Sequence, residues 1–259
     1  MSRAAAVEAA PPAQSKPQRG PAGIWPGLAD YGVSSLTNFA LSVLVAASVP
    51  AREFGAFSLA FATYLLAAGA GRALAGEPLM LRFSGCSKSQ WRAASSGAMG
   101  CCIAVGLVFA AGCWTAAAAG LYTGPFIALG LVMPGLVLQD GFRYSFFSAG
   151  LSGHALANDF VWAAIELPAI VLLVSGNRAS VAALILVWGG SGTVAAAVAA
   201  LQARVWPAVL STGRWLSTQR DLAPRFLGEF AAAGGANASA LYLTAGIAGV
   251  VEAAFLRGA

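Results

Sequence analysis

The amino-acid sequence contains long apolar stretches with few charged residues, and this feature most limits what the chain can fold into. Charged residues make up 10% of the 259 residues and hydrophobic residues 58%, and the mean hydropathy is +0.73. A soluble domain carries about 25% charged residues, so this chain lacks the charge needed to cover a water-facing surface. The composition predicts an all-α polytopic membrane protein. It argues against secreted, cytosolic and nucleic-acid-binding classes.

Seven stretches reach the length of about 20 mostly apolar residues that a transmembrane helix needs. Prolines and a glycine-containing turn lie near their ends, as expected where helices stop. The fourth stretch is the least regular, because Pro134-Gly135 interrupts it. The predicted spans are residues 28–49, 53–71, 95–119, 125–147, 157–175, 180–202 and 230–256.

The spans predict four parts of the chain. Residues 1–26, rich in Ala and Pro, are expected to form a disordered cytoplasmic tail, and residues 27–202 a six-helix lobe. Residues 203–226 mix four Arg with Trp206 and Trp215, a combination typical of segments at the headgroup level. We therefore predict a membrane-hugging cytoplasmic linker there, with a binding role as the alternative. Residues 227–259 supply the first helix of an incomplete second lobe.

Lys and Arg residues are distributed asymmetrically between alternate loops. Such a bias sets the orientation of a multi-pass protein, with the positive loops inside. A cytoplasmic N-terminus leaves only Arg52, Arg178 and Arg257 on the outer side. The inner side then holds Arg3, Lys16, Arg19, Arg72, Arg82, Lys88, Arg92, Arg143, Arg204, Arg214, Arg220 and Arg225.

The seventh span resembles the first when the sequence is shifted by 199 positions, from Asp30 to Glu229. An internal repeat of this kind is typical of transporters built from two halves. Chance similarity in a biased composition is the alternative. If the repeat is real, the chain is a truncated product or a partner supplies the remainder. The matched residues are Asp30-Tyr31 with Glu229-Phe230, Asn38 with Asn237, and Glu53 with Glu252.

Polar groups inside a membrane are costly, so each one is a candidate for function. In the first span, Asp30, Ser34 and Asn38 share one helical face, which predicts either a cavity lining or a helix-packing surface. In the fifth span, Asp159 and Glu166 lie seven positions apart on one face. Glu166 is expected near the bilayer centre, where it carries a proton, binds a cation or pairs with a basic residue.

Two arginines are candidates for contact with an anionic substrate. Arg72 lies at the inner end of the second span near Glu77, and Arg143 is three positions from Asp140, with which it can pair. Arg offers forked donors to phosphate. The alternative is that both are topology anchors at the inner interface.

The sequence carries no motif for catalysis or for a cofactor. The four cysteines and the single His154 have no metal-ligand spacing. No phosphate-binding loop or nucleophile motif is present. We therefore predict neither an enzyme nor a bound cofactor.

Several short motifs together resemble bacterial polysaccharide flippases and exporters of the O-antigen type, in the multidrug, oligosaccharidyl-lipid and polysaccharide exporter superfamily. The resemblance covers residues 27–256. Its motifs are residues 34–39 (SSLTNF), 50–58 (PAREFGAFS), 72 with 77–78 (R, EP), 139–143 (QDGFR), 158–162 (NDFVW) and 228–230 (GEF).

The resemblance implies two six-helix lobes around a cavity and a location in the bacterial cytoplasmic membrane. It implies transport of an undecaprenyl-pyrophosphate-linked oligosaccharide by alternating access, coupled to a proton or sodium gradient. Arg72 and Arg143 are then the expected pyrophosphate ligands. Asp30, Ser34, Asn38, Asp140 and Asp159 are the expected cavity lining, and Glu166 and Glu229 the coupling candidates. A drug/cation antiporter and a non-transporting subunit or remnant are the alternatives.

Overall fold

The structure is a computed structural model that describes Gly32, residues 40–176, residues 178–247, Gly249 and Val251, with the backbone alone for residues 233–240. This part of the chain is helical and contains no strand. Five of its helices are long and apolar enough to cross a membrane. The protein is thus an all-α, multi-pass membrane protein, as the composition predicts.

The helices follow one another with short connections. Residues 40–48 form the described part of α1. The others are α2 (Ala51–Gly71), a π-helical turn (Arg72–Gly76), α3 (Glu77–Phe83), α4 (Lys88–Ala118), α5 (Thr123–Ser148), α6 (Ser152–Ser175), α7 (Val181–Ala203), a 3₁₀ turn (Val209–Ser211), α8 (Thr212–Thr218) and α9 (Ala223–Ile247).

The second predicted span is too short. The helix does not end at residue 71 but continues through the π-helical turn into α3, so Ala51–Phe83 is a single rod of 33 residues. At 1.5 Å per residue it is about 50 Å long, whereas the hydrocarbon core is about 30 Å thick. The rod is therefore longer than the apolar layer is thick.

Helix α5 is central to the bundle and contacts α2, α4 and α7. Pro134-Gly135 does not interrupt it. Instead both residues lie at close helix crossings: a Cβ on Gly106 of α4 would lie 2.5 Å from Pro134 Cα, and one on Gly135 would lie 2.0 Å from Thr193 Oγ1 of α7. Packing against neighbours makes a proline tolerable inside a transmembrane helix.

The predicted linker is folded onto the bundle. Trp215 of α8 is only 6% exposed, and its indole Nε1 donates a 2.9 Å hydrogen bond to the Leu74 carbonyl. That carbonyl lies four residues before Pro78, which has no N–H to donate to it. Trp206, in contrast, is 67% exposed. Trp215 therefore packs into the bundle while Trp206 faces outward, and the location of the linker at headgroup level stays a prediction.

Helix α9 packs along α2. Tyr242 makes a hydrogen bond with Thr63, and the Phe230 ring occupies the space beside Gly69 that a Cβ would fill. The helix begins at Ala223, earlier than the predicted start at residue 230. The predicted tail, most of the first span with Asp30, Ser34 and Asn38, and Glu252 of the proposed repeat lie outside the described residues.

Candidate functional site

Arg72 occupies the first position of the π-helical turn. The Glu77 N–H donates to the Arg72 carbonyl five residues earlier, which marks the wider turn. The Arg72 side chain reaches Asp140 on α5 through two hydrogen bonds, Nε to Oδ2 and Nη2 to Oδ1, each 2.8 Å long. This two-point geometry is the strong form of an Arg–carboxylate pair. Arg72 therefore pairs with Asp140 and not with its sequence neighbour Glu77.

The two partners differ in their access to the surroundings. The Asp140 side chain is 3% exposed, whereas that of Arg72 is 36% exposed. The Arg72 guanidinium carbon also lies 5.8 Å from the centre of the Tyr144 ring. Gly76 makes room for that ring, since a Cβ there would lie 2.8 Å from Tyr144 Cγ. Asp140 and Tyr144 thus hold Arg72 in one orientation.

A second ion pair continues from the first. Arg143, one turn after Asp140, donates to Asp159 on α6 through Nη2. Its Nη1 lies 3.9 Å from Asp140 Oδ1. The predicted pairing of Asp140 with Arg143 is therefore a longer contact, and each residue has its shorter ion pair on another helix.

Two amides complete this arrangement. Gln139 donates from Nε2 to Asp159 Oδ1 at 3.0 Å, and Asn158 donates from Nδ2 to the Ala195 carbonyl of α7 at 2.7 Å. We call Arg72, Gln139, Asp140, Arg143, Asn158 and Asp159 the polar network. It holds two positive and two negative charges, so the formal charges compensate each other within the bundle.

Glu166 lies on the same buried face of α6 as Asp159, as the spacing predicts. It is 1% exposed, and neither carboxyl oxygen has a hydrogen-bond partner among the residues that the structure describes. The neighbouring Trp162 donates its indole N–H to the Trp188 carbonyl. Glu166 is therefore a buried carboxyl group outside the polar network.

The structure thus brings together Arg72, Asp140, Arg143 and Asp159 from the predicted set. Glu229 lies apart from them: it is exposed and pairs with Arg225 one turn earlier, at 3.0 Å. Asp30, Ser34 and Asn38 lie outside the described residues.

Sequence reasoning did not select Gln139, Asn158 or Tyr144 as site residues. Gln139 and Asn158 could have been found from the sequence, because they are amides inside apolar spans, where such side chains form hydrogen bonds between helices.

The fold and this site define a multi-pass helical membrane protein with charge pairs buried between its helices. Comparison with known proteins adds no relative: no family model, no curated protein and no solved structure matches the chain.

Proposed function

We propose that the protein is a transporter, or one lobe of a transporter, that moves a lipid-linked oligosaccharide across the bacterial cytoplasmic membrane by alternating access. The observation that carries the proposal is Arg72, an arginine on a rod long and apolar enough to cross a membrane, which is paired with a buried carboxylate and is itself 36% exposed. The motif resemblance to polysaccharide flippases gives the substrate class. The charge asymmetry of the loops gives the orientation, with the N-terminus in the cytoplasm.

Arg72 keeps donors available for a substrate. Its Nε and one Nη2 hydrogen serve Asp140, and Nη1 makes no hydrogen bond within the described part of the chain. The forked guanidinium suits the non-bridging oxygens of a diphosphate. The undecaprenyl-pyrophosphate carrier would approach this exposed side of Arg72.

Binding there has a consequence for the helices. A diphosphate competes with Asp140 for the same guanidinium, so it weakens the link between the α2 rod and α5. Because Asp140 and Arg143 are also in contact, the change reaches Asp159 on α6 through the polar network. Differential binding to two arrangements of these helices is what alternating access requires.

Arg143 has a different part in this proposal. It is largely buried and already pairs with Asp159, so we assign it the positioning of Asp140 and α6. Its direct contact with a pyrophosphate stays a prediction. A second lobe or chain would complete the cavity.

A drug/cation antiporter is the second candidate, and one observation favours it. The Glu166 carboxyl is buried with no partner in the described structure, and such a group is suited to taking up a proton or a cation. In the glycan transporter the same group would serve the coupling to a proton or sodium gradient. The two candidates differ in substrate.

The experiment is a translocation assay. The native gene product is reconstituted in proteoliposomes with a fluorescent undecaprenyl-pyrophosphate oligosaccharide, and a membrane-impermeant quencher reports its movement. We expect R72Q to lower the rate at least tenfold. R52Q is the matched control, because Arg52 is an exposed arginine at the opposite end of the same rod. Equal rates for R72Q and R52Q would refute the proposal.

A further inference from the structure

The linker lines a pocket together with the end of α3 and the first turns of α4, separate from the polar network. Its volume is about 600 Å³, which is within the range of small-ligand sites. The pocket lies at the end of the bundle where α3 stops at Phe83 and α4 starts at Lys88. Basic residues cluster around this end, at 82–92 and 203–226, so by the positive-inside rule we expect the pocket at the level of the cytoplasmic lipid headgroups.

The walls of this pocket are fixed by direct contacts. Arg82 donates to the Thr218 carbonyl (2.5 Å) and to Gln219 Oε1 (2.9 Å), and it pairs with Asp221 at 2.5 Å. On the other side, Ser96 Oγ donates to the Trp206 carbonyl at 2.6 Å. The linker is thus attached to both α3 and α4, and the pocket exists before any ligand arrives.

Close backbone contact adds to this attachment. A Cβ on Gly100 of α4 would lie 2.3 Å from the Ala208 carbonyl oxygen. The Ala208 N–H in turn donates to the Ser96 carbonyl at 2.9 Å. The chain between α7 and α8 therefore lies directly on the surface of α4.

The pocket combines an apolar floor with a cationic rim. The rings of Phe83 and Trp215 lie 6.1 Å apart in the lining of the pocket, which also includes the exposed Ala93. Arg214 lines the rim, and its side chain makes no hydrogen bond or ion pair with the described residues. Residues 82–92 and 203–226 around the pocket carry seven basic side chains and one acidic one, Asp221, which Arg82 already engages.

We propose that this pocket binds an anionic phospholipid, with the phosphodiester at Arg214 and the proximal acyl chain on Phe83 and Trp215. A lipid fits better than a free phosphate, because its acyl chain would contact the apolar floor, which an inorganic ion leaves unused. The local excess of basic residues attracts anionic lipid to this surface. The proposal is independent of the transported substrate, since the pocket shares no residue with the polar network.

The test is a lipid titration of the delipidated protein in detergent, followed by native mass spectrometry. The probes are dioleoylphosphatidylglycerol, dioleoylphosphatidylcholine and inorganic phosphate. We expect one phosphatidylglycerol to bind at least tenfold more tightly than phosphatidylcholine. R214Q should weaken that binding about tenfold, the value of a charge-assisted hydrogen bond to phosphate. Ala93→Trp should block it by filling the pocket.

The matched control is R220Q, which removes an exposed arginine of the same linker that does not line the pocket. It should change the affinity less than twofold. Equal losses in R214Q and R220Q would overturn the proposal, because binding would then follow overall charge alone. Equal binding of the two lipids, or displacement of phosphatidylglycerol by equimolar inorganic phosphate, would overturn it as well.

Discussion

Arg72 and Asp140 are 68 positions apart in the sequence, yet their side chains meet inside the bundle through two parallel hydrogen bonds of 2.8 Å. The pair joins the π-helical turn of the α2 rod to α5, and Arg143 and Asp159 extend the connection to α6. Because one arginine of this network is partly exposed, the network links a surface-accessible cation to the packing of three helices.

Removing either partner of this pair should destabilise the protein unequally. R72Q leaves a buried carboxylate whose remaining cation, Arg143, is 3.9 Å away, so we expect a loss of about 3 kcal/mol. D140N leaves the more exposed Arg72, which water or headgroups can solvate, so we expect about 1 kcal/mol. Denaturant unfolding in detergent micelles measures both. A larger loss for D140N than for R72Q would contradict the geometry.

Replacing Glu166 should raise the stability of the protein, whereas replacing Arg72 or Asp140 should lower it. Burial of a polar group without partners costs stability, so E166L should stabilise the protein by about 2 kcal/mol while abolishing any dependence of transport on an ion gradient. E166Q, which keeps the shape and a polar end, should change the stability less. Thermal unfolding and gradient-driven uptake are the two measurements. A destabilised E166L would mean that the carboxyl group has a partner.

Gly106 and Gly112, both on α4, allow the same Gly-to-Ala substitution to be compared at a close helix crossing and at an open position. A Cβ at Gly106 would overlap Pro134 of α5, whereas one at Gly112 would meet nothing within 4 Å. G106A should therefore cost about 1–3 kcal/mol by separating α4 from α5. G112A should be neutral or slightly stabilising, because Ala favours the helix. Equal effects in the same unfolding assay would show that the two helices do not cross at Gly106.

The hydrogen bond from Trp215 to Leu74 should hold the linker on the bundle. W215F keeps the ring on Phe83 but removes the indole N–H, so we expect a loss of about 1 kcal/mol and faster amide hydrogen exchange across residues 203–218. W206F is the control, since Trp206 is exposed. Unchanged exchange in W215F would mean that the linker is held by other contacts.

Cys86 reports which end of the bundle faces the cytoplasm. It lies between α3 and α4 and is the one cysteine of the described residues that is not buried. A sulfonated maleimide that cannot cross membranes should label it in inverted vesicles and not in intact cells. S175C, in a C86S background, should show the reverse, because Ser175 ends α6 at the other side. Labelling of Cys86 from outside would invert the predicted topology.

The rate of that labelling should depend on pH. Burial raises the pKa of the Cys86 thiol above its usual value, and only the thiolate reacts. Labelling at neutral pH should therefore be slower than for a free cysteine, and it should accelerate as the pH rises toward this pKa. A rate equal to that of a free thiol at every pH would argue against the partly buried position.

The fold was largely predictable because apolar length and turn residues act locally. Three of the spans, from residue 125 to residue 202, agree with helices α5, α6 and α7 to within five residues at each end. The helix beyond Arg72 was not predictable, since Arg72, Glu77 and Pro78 are typical of a helix end. The rod continues because Asp140 and Trp215, both distant in sequence, satisfy the groups that would otherwise stop it.

In the candidate site, too, the features that depend on local sequence were predictable and those that depend on contacts between helices were not. The shared face of Asp159 and Glu166 follows from their spacing on one helix. The pairing of Arg72 with Asp140 does not follow from the sequence, because no local rule relates residues on different helices. Similarly, the amphipathic composition of residues 203–226 predicts a location near the membrane surface, but only tertiary contacts decide that Trp215 turns inward and Trp206 outward.

The most direct test of the proposed function is photo-cross-linking in native membranes. A polyprenyl diphosphate with a diazirine next to the diphosphate is added and illuminated, and labelled peptides are identified by mass spectrometry. We predict labelling of the rod and α5 around Arg72 and Tyr144, lost in R72Q and retained in R52Q. Labelling that is absent from this region, or that persists unchanged in R72Q, would contradict the assignment of Arg72 as the diphosphate ligand.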